Sequence, residues 1–297
     1  MKIIITGSLG NISKPLTQEL VQKGHAVTVI SSKTERQKDI ETIGAKAAIG
    51  SIEDVNFLIA TFTNTDAVYT MVPPPNFFDH SIDLMAYYRR IGNNYAQAIR
   101  QSGVKRVVHL SSIGAHLDKG TGLILAHNQL ESILNNLKDV AITFMRPTSF
   151  YYNLYSFIGG IKGMGVIASN YGADDKGVWV SPIDIAVAIA EEIVTATVGR
   201  KIRYVASDEL TCNEIANILG AAIGKPDLKW IIITNEQMQS GLEAFGMNKQ
   251  IAAGLVEMNA CIHSGIFFDD YYLNRPVLGQ GKLKNFAKEF ASAFLKA

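Results

Sequence analysis

Two glycines three residues apart stand in Thr6-Gly7-Ser8-Leu9-Gly10-Asn11-Ile12-Ser13, directly after the β-branched run Ile3-Ile4-Ile5. This is G-x-x-G-x-x-S, a spaced variant of the dinucleotide fingerprint. Gly7 is suited to a tight turn and Gly10 to close approach of a pyrophosphate, while Asn11 and Ile12 open a helix whose amides face the anion. Ser13 is small enough to replace the third glycine, which normally lets helix and strand pack closely.

The residues after the second apolar run choose between cofactors. NAD-selective sites place Asp or Glu at that strand end, roughly 20 residues after the loop, to bind the ribose 2′-hydroxyl. Here Ile30-Ser31-Ser32-Lys33 is followed by Thr34-Glu35-Arg36. Nothing acidic stands at the strand end itself, and the hydroxyls of Ser31 and Ser32 with Lys33 and Arg36 suit a 2′-phosphate. NADP(H) is expected rather than NAD(H).

Aromatic residues mark a second candidate site. Pro73-Pro74-Pro75-Asn76-Phe77-Phe78 is a stiffened loop after the fourth apolar run, aiming two phenylalanines at the nicotinamide mouth. Phe150, Tyr151, Tyr152 and Tyr155 come from the other side, so that a planar or conjugated small molecule could stack between the two sets. No metal site is expected. His127 and Glu131 are one helical turn apart but lack a third ligand at fixed spacing, and read as an i,i+4 pair. His109 and His116 do not complete a cluster, and no G-x-S-x-G elbow occurs.

These groups need a scaffold, and the pattern supplies one. Short runs at Lys2 to Thr6, His25 to Ile30, Ala47 to Ile49, Ala67 to Met71, Arg106 to Leu110, Ala141 to Arg146 and Ile202 to Ala206 alternate with helical segments. Ser13 to Lys23, Asn76 to Ser102 and Leu123 to Leu137 read as amphipathic helices, the first two stopping at Gly24 and Gly103. The fold class is α/β: a Rossmann-type, doubly wound parallel sheet. A dinucleotide domain is expected over 1–150, with 180–206 returning to it. A smaller, mostly helical substrate domain is expected from 151–179 and 207–297, and from Thr211 onward the pattern is almost entirely helical.

The 297 residues, 47% hydrophobic and 19% charged, exclude disorder and a small disulfide scaffold. Lys+Arg 28 against Asp+Glu 27 leaves +1, which gives no electrostatic reason to expect nucleic acid or an anionic membrane as a partner, since both need a concentrated basic face. Three isoleucines before Gly7 are too few for a signal peptide, and no run of ~18 apolar residues predicts a membrane span. Cys212 and Cys261 lie far apart without ligand-like spacing, as in a reduced cytoplasmic chain. Composition leaves the oligomeric state open.

Further segments carry a resemblance. They are Gly7 to Ser13, Gly50-Ser51-Ile52-Glu53-Asp54, Asp66-Ala67-Val68-Tyr69, Gly103 to Ser112, Asp208-Glu209-Leu210-Thr211 and, most specific, Arg146-Pro147-Thr148-Ser149-Phe150-Tyr151-Tyr152-Asn153. Over nearly its whole length the chain resembles the NmrA-like, atypical short-chain dehydrogenases, which include NADPH-dependent quinone oxidoreductases and NADP-sensing regulators. The resemblance implies that Gly50, Ser51 and Ile52 flank the adenine, that Met71, Val72 and Pro73 run beside the ribose and pyrophosphate, and that Leu110, Ser111, Pro147 and Phe150 lie near the nicotinamide. Members often carry Asp where this chain has Ser51, which implies a different adenine contact.

The chain departs from the typical Tyr-x-x-x-Lys dyad of short-chain dehydrogenases. In Gly122-Leu123-Ile124-Leu125-Ala126-His127 the tyrosine place falls on Leu123 and the lysine place on His127. Leucine donates no proton. The resemblance then implies hydride transfer from NADPH to a quinone-like or otherwise conjugated acceptor that needs little acid catalysis. His127 is the candidate catalytic contact, to the nicotinamide ribose or to the acceptor oxygen. The alternative is a non-catalytic NADP-binding redox sensor acting through a protein partner, and a third reading is a reductase or isomerase of a specialised natural product.

Overall fold

The computed structural model describes residues 1–297. Seven strands, β1 (Lys2–Ile5), β2 (Ala26–Ser31), β3 (Lys46–Ile49), β4 (Ala67–Thr70), β5 (Arg106–Leu110), β6 (Ala141–Pro147) and β10 (Arg200–Val205), form one sheet in the order β10-β6-β5-β4-β1-β2-β3. Every pairing in it is parallel. The order reverses beside β1, which places the topological switch point, and with it a ligand crevice, over the carboxyl ends of β1 and β4.

Period-two alternation fixes which helix covers which face. Ile3, Ile5, Val27 and Val29 face one layer, made with α1 (Ser13–Gln22) and α7 (Pro182–Val194) through Leu16, Leu20, Ile185 and Ile189. Ile4, Val68, Val107 and Ile142 face the other. There they meet Leu58 and Phe62 of α3 (Val55–Phe62), Ile91 and Tyr95 of α4 (Leu84–Ser102), and Leu130 and Leu134 of α5 (Leu125–Asn135). The short α2 (Gln37–Thr42) lies beside β3.

A third apolar cluster lies beyond the sheet and includes Tyr151, Trp179, Trp230, Phe267 and Phe290. Around it stand β7 (Ser149–Phe150), α6 (Ile158–Met164), β8 (Ile167–Ser169), β9 (Lys176–Val180), β11 (Asp208–Thr211), α8 (Cys212–Ala222), β12 (Trp230–Ile232), α9 (Asn235–Ala244), α10 (Lys249–Ser264), α11 (Asp269–Leu273) and α12 (Leu283–Lys296). β9 pairs with β7 and β11, and β8 with β12. No single helix is long and apolar enough to cross a membrane.

Two elements differ from the sequence reading. The helix expected from Asn76 begins only at Leu84, because short polar side chains capture the backbone before it: Asn76 Oδ1 accepts from Phe78 N and Asp79 Oδ1 from Ser81 N. Asp83 then caps α4, accepting from Ala86 N. Within the stretch expected to be helical after Thr211, β12 forms as a parallel partner of β8, an edge supplied by residues some sixty positions earlier.

Candidate active site

Backbone geometry shapes the loop between β1 and α1. Gly7 has φ +88°, and a Cβ there would stand 2.7 Å from Ser13 Oγ and 3.0 Å from Met71 Sδ. A side chain is thus excluded twice, by conformation and by space. Ser13 Oγ donates to Thr6 O at 2.9 Å, so the small residue at the third glycine's place ties helix to strand. Ser8 N donates to Ile30 O at 3.1 Å and Ser8 Oγ to Ser31 Oγ at 3.0 Å, which fastens the loop to the end of β2.

The loop leaves an anion seat. Gly10 N closes the turn on Gly7 O at 3.1 Å, but no acceptor within the chain meets the amides of Asn11, Ile12 or Ser13. α1 has no side-chain cap and no acid in its first turn, and Pro15 occupies a first-turn place where its missing N–H costs nothing. Open amides at a positive dipole end fit a pyrophosphate.

At the carboxyl ends of β2 and β3, Gly50 N donates to Ser31 O at 2.9 Å, and a Cβ on Gly50 would lie 2.5 Å from the Phe57 ring. Ser51 Oγ accepts from Glu53 N, and the Ile52 carbonyl accepts from Asn94 Nδ2. Ser31 is buried and bonded to Ser8 Oγ and to the Lys33 backbone, so its hydroxyl organises the loop. Ser32 and Lys33 are exposed, and Arg36 is turned to Asp39 at 3.2 Å. The sequence reading missed Lys14, which lines a cavity of about 550 Å³ with Leu9 and Arg36. Its only signal is its outward place on the first turn of α1.

Over β4, Met71 N donates to Thr6 Oγ1 at 2.9 Å and Met71 O accepts from Tyr95 OH at 2.7 Å. Pro73 O accepts from Tyr87 OH, and Val72 is buried. The triple-proline loop then docks on the α9–α10 junction. Asn248 N donates to Phe77 O at 2.8 Å, and the Phe78 and Phe245 rings meet edge-on at 5.8 Å.

The other aromatic set packs elsewhere. Tyr151 is buried, stacked on Phe286 at 5.6 Å, and its hydroxyl donates to Asp208 Oδ2 at 2.7 Å. Phe150 and Tyr152 rings lie 5.0 Å apart. Tyr151, Tyr152 and Tyr155 line a cavity of about 390 Å³ with Asn11 and α12 residues, but Phe77 and Phe78 do not. The two sets are thus packed by different parts of the chain. Asn248 holds one set and α12 the other, both through contacts distant in sequence.

Where β5 and β6 end, a buried charge network replaces the expected pair of His127 with Glu131. Arg146 grips Glu131 with Nη2 at 2.7 Å and Nε at 3.0 Å, and Ser111 Oγ donates to the same carboxylate at 2.5 Å. Arg146 Nη1 continues to Asp270 at 3.2 Å. Ser111 and Leu110 thus sit at the strand end, with Ser111 N on Met145 O and Ile113 N on Pro147 O.

His127 opens the first turn of α5, its ring edge-on to Tyr88 at 5.1 Å. Its Nδ1 is enclosed without a partner, and burial lowers its pKa to about 4. His109 behind it is fully buried, hydrogen-bonds Thr70 Oγ1 at 2.9 Å, and is lowered to about 3 by burial and then by His127. Leu123 faces away from any proton-transfer role: Gly254 of α10 packs on it so closely that a Cβ there would be 2.6 Å from Leu123 Cδ2.

The model of the NmrA-like family matches residues 1–268. The chain belongs to the NmrA-like family. This family member is 25% identical over 225 residues, 75% of its length and 74% of the relative's, to a (4-alkanoyl-5-oxo-2,5-dihydrofuran-3-yl)methyl phosphate reductase of Streptomyces griseus. Its fold matches an NADPH-dependent quinone oxidoreductase of Escherichia coli complexed with NADPH, with TM-score 0.80 and 19% identity over 97% of this chain and 99% of that one. It also matches the Citrobacter triphenylmethane reductase complexed with NADP(H), with TM-score 0.77 and 18% identity over 97% and 99% of the two chains.

Proposed function

We propose that this chain is an NADPH-dependent oxidoreductase that passes hydride to a quinone-like or other conjugated small molecule without a Tyr-Lys dyad. The observation that carries the reading is the uncapped start of α1, where the amides of Asn11, Ile12 and Ser13 stand open beside Gly7, which has no room for a side chain, and Gly10, which leaves the approach to those amides clear. Lys33, Arg36 and Lys14 supply cations for a 2′-phosphate, Arg36 by leaving Asp39. Gly50, Ser51 and Ile52 border the adenine, Met71 to Pro73 the ribose, and Leu110, Ser111, Pro147 and Phe150 the nicotinamide.

The bound dinucleotide supplies the hydride, and the chain orients the acceptor and excludes water. An acceptor whose charge is delocalised on reduction suits a site in which the tyrosine place is a packed leucine. The relatives named above are reductases of a quinone, a triphenylmethane dye and an alkanoyl-oxo-dihydrofuranyl methyl phosphate, each a conjugated acceptor, which supports the same substrate class. Residues 1–150 and 180–206 form the cofactor domain on this reading, and the remainder the acceptor side. The unpaired Cys212 and Cys261 suit a cytoplasmic enzyme.

Leu123 also favours a second reading, a redox sensor that binds NADP and acts through a protein partner. Initial rates of NADPH oxidation against a panel of quinones, azo dyes and enones separate the two. Turnover of at least one class is expected. NADPH binding with no turnover across the panel would leave the sensor.

A further inference from the structure

We infer that His127 is a hydrogen-bond donor to the acceptor's carbonyl oxygen through Nε2–H, held in that tautomer by the dry seat of Nδ1 between α4 and β5. The inference rests on the oxidoreductase reading and assigns the group that meets the charge formed there. Of the two ring nitrogens, only Nδ1 is both fully enclosed and without a partner. A proton on Nδ1 would be an orphaned buried donor, whereas a proton on Nε2 can meet an oxygen in the cleft. The imidazole stands on the first turn of α5, at the edge of the sheet where strands end and ligands bind.

The surroundings keep this ring uncharged. Facing it are the Tyr88 phenol from α4 and His109 from β5, neither of which offsets a positive charge. On its own helix Glu131 is already committed to Arg146 and Ser111. Burial accordingly holds His127 at about 4. The chain thus presents a neutral donor, which stabilises a developing oxyanion without itself giving up a proton.

The balance is simple. The dihydronicotinamide carbon–hydrogen bond breaks and its electron pair moves with the hydride to the acceptor's electrophilic atom. The conjugated carbonyl becomes an enolate or phenolate on the oxygen that faces Nε2–H. A solvent proton then neutralises that oxygen.

The test combines catalysis with a readout independent of it. With menadione as acceptor, kcat should be flat from about pH 5.5 to 9, because neither imidazole titrates there. His127→Leu should lower kcat by about 10- to 100-fold, the lower side of what one lost oxyanion donor costs, while NADPH affinity stays within about twofold. His127→Gln, which places an amide N–H near Nε2, should recover most of that loss. Nitrogen NMR of histidine-labelled full-length protein should show a neutral Nε2–H ring for His127, and adding menadione to the NADP⁺ complex should shift that N–H.

Three results would overturn the assignment: a break in kcat near pH 6.5 that disappears in His127→Leu, an Nδ1–H tautomer, or a loss of NADPH affinity as large as the loss in kcat. If the wild type turns over no acceptor, the oxidoreductase reading fails by itself. The tautomer and its response to menadione then still decide His127, and an N–H that ignores menadione overturns it.

Discussion

The loop between β1 and α1 and the region where β5, β6 and α5 meet lie at the same, carboxyl edge of the parallel sheet, yet they are built in opposite ways. The first is made of backbone: a left-handed Gly7, open amides and a serine hydroxyl turned back on its own strand. The second is made of side chains drawn from distant parts of the chain, where Arg146 grips Glu131 and also reaches Asp270, 124 residues further along the sequence. Backbone requirements leave a mark in a short motif. A buried network leaves almost none, because Ser, Glu, Arg and Asp have many ordinary surface uses.

Breaking the network should show its structural nature first and most strongly. Arg146→Met leaves the Glu131 carboxylate buried without its cation, and should cost about 3–5 kcal/mol of unfolding free energy. Urea unfolding checks this, and an unchanged midpoint would mean that Glu131 is relieved by water. The loop should behave in the reverse manner. Gly10→Val puts a side chain into the pyrophosphate's space, with its Cβ already only 3.2 Å from Gly7 O. NADPH affinity should fall by about a hundredfold or more, ~2.7 kcal/mol, while the unfolding midpoint moves little.

A pH experiment sharpens the same contrast. His109 and His127 remain neutral in the folded chain down to about 3 and about 4. Unfolded imidazoles take up protons near ~6.5. Between these values the unfolded state binds more protons, so stability falls as pH drops from ~6.5 toward 4. The loss should reach about 2–3 kcal/mol per histidine at pH 4.5. Urea titrations at pH 7 and 4.5 should show it, and His109→Gln should remove roughly half of the difference.

Smaller effects are expected at the periphery. Lys33→Ala should weaken NADPH roughly tenfold, one charged hydrogen bond, and leave NADH unaffected. Equal affinities for the two cofactors in the wild type would remove the 2′-phosphate site. Tyr151→Phe should cost about 1.5–3 kcal/mol of stability, through its bond to the Asp208 carboxylate, and little in turnover.

The same division explains what was legible before the fold was known. The strands of the large sheet are visible as short apolar or β-branched runs because their hydrophobicity is local, and even β10, interrupted by Arg200, Lys201 and Arg203, ends on the apolar pair Tyr204-Val205. The helix start at Leu84 was obscured because Asn76, Asp79 and Asp83 compete for nearby amides, which periodicity does not register. The residues of the Gly7 loop were readable from spacing alone. The pairing of Phe77 with Asn248, of Tyr151 with Phe286 and of Leu123 with Gly254 depends on how far-apart helices dock, and no spacing within the chain encodes it. Lys14 and Tyr88 were missed for the same reason, each gaining its meaning from a neighbouring helix.

The central claim is that the crevice over β1 and β4 delivers hydride directly from NADPH to a conjugated acceptor. Following the label decides it most directly. With each C4-deuterated epimer of NADPH in turn and a cyclic enone, the account predicts that one epimer, and not the other, places deuterium on the enone's β-carbon in the product. Tight binding of both epimers with no deuterium in any product would contradict it.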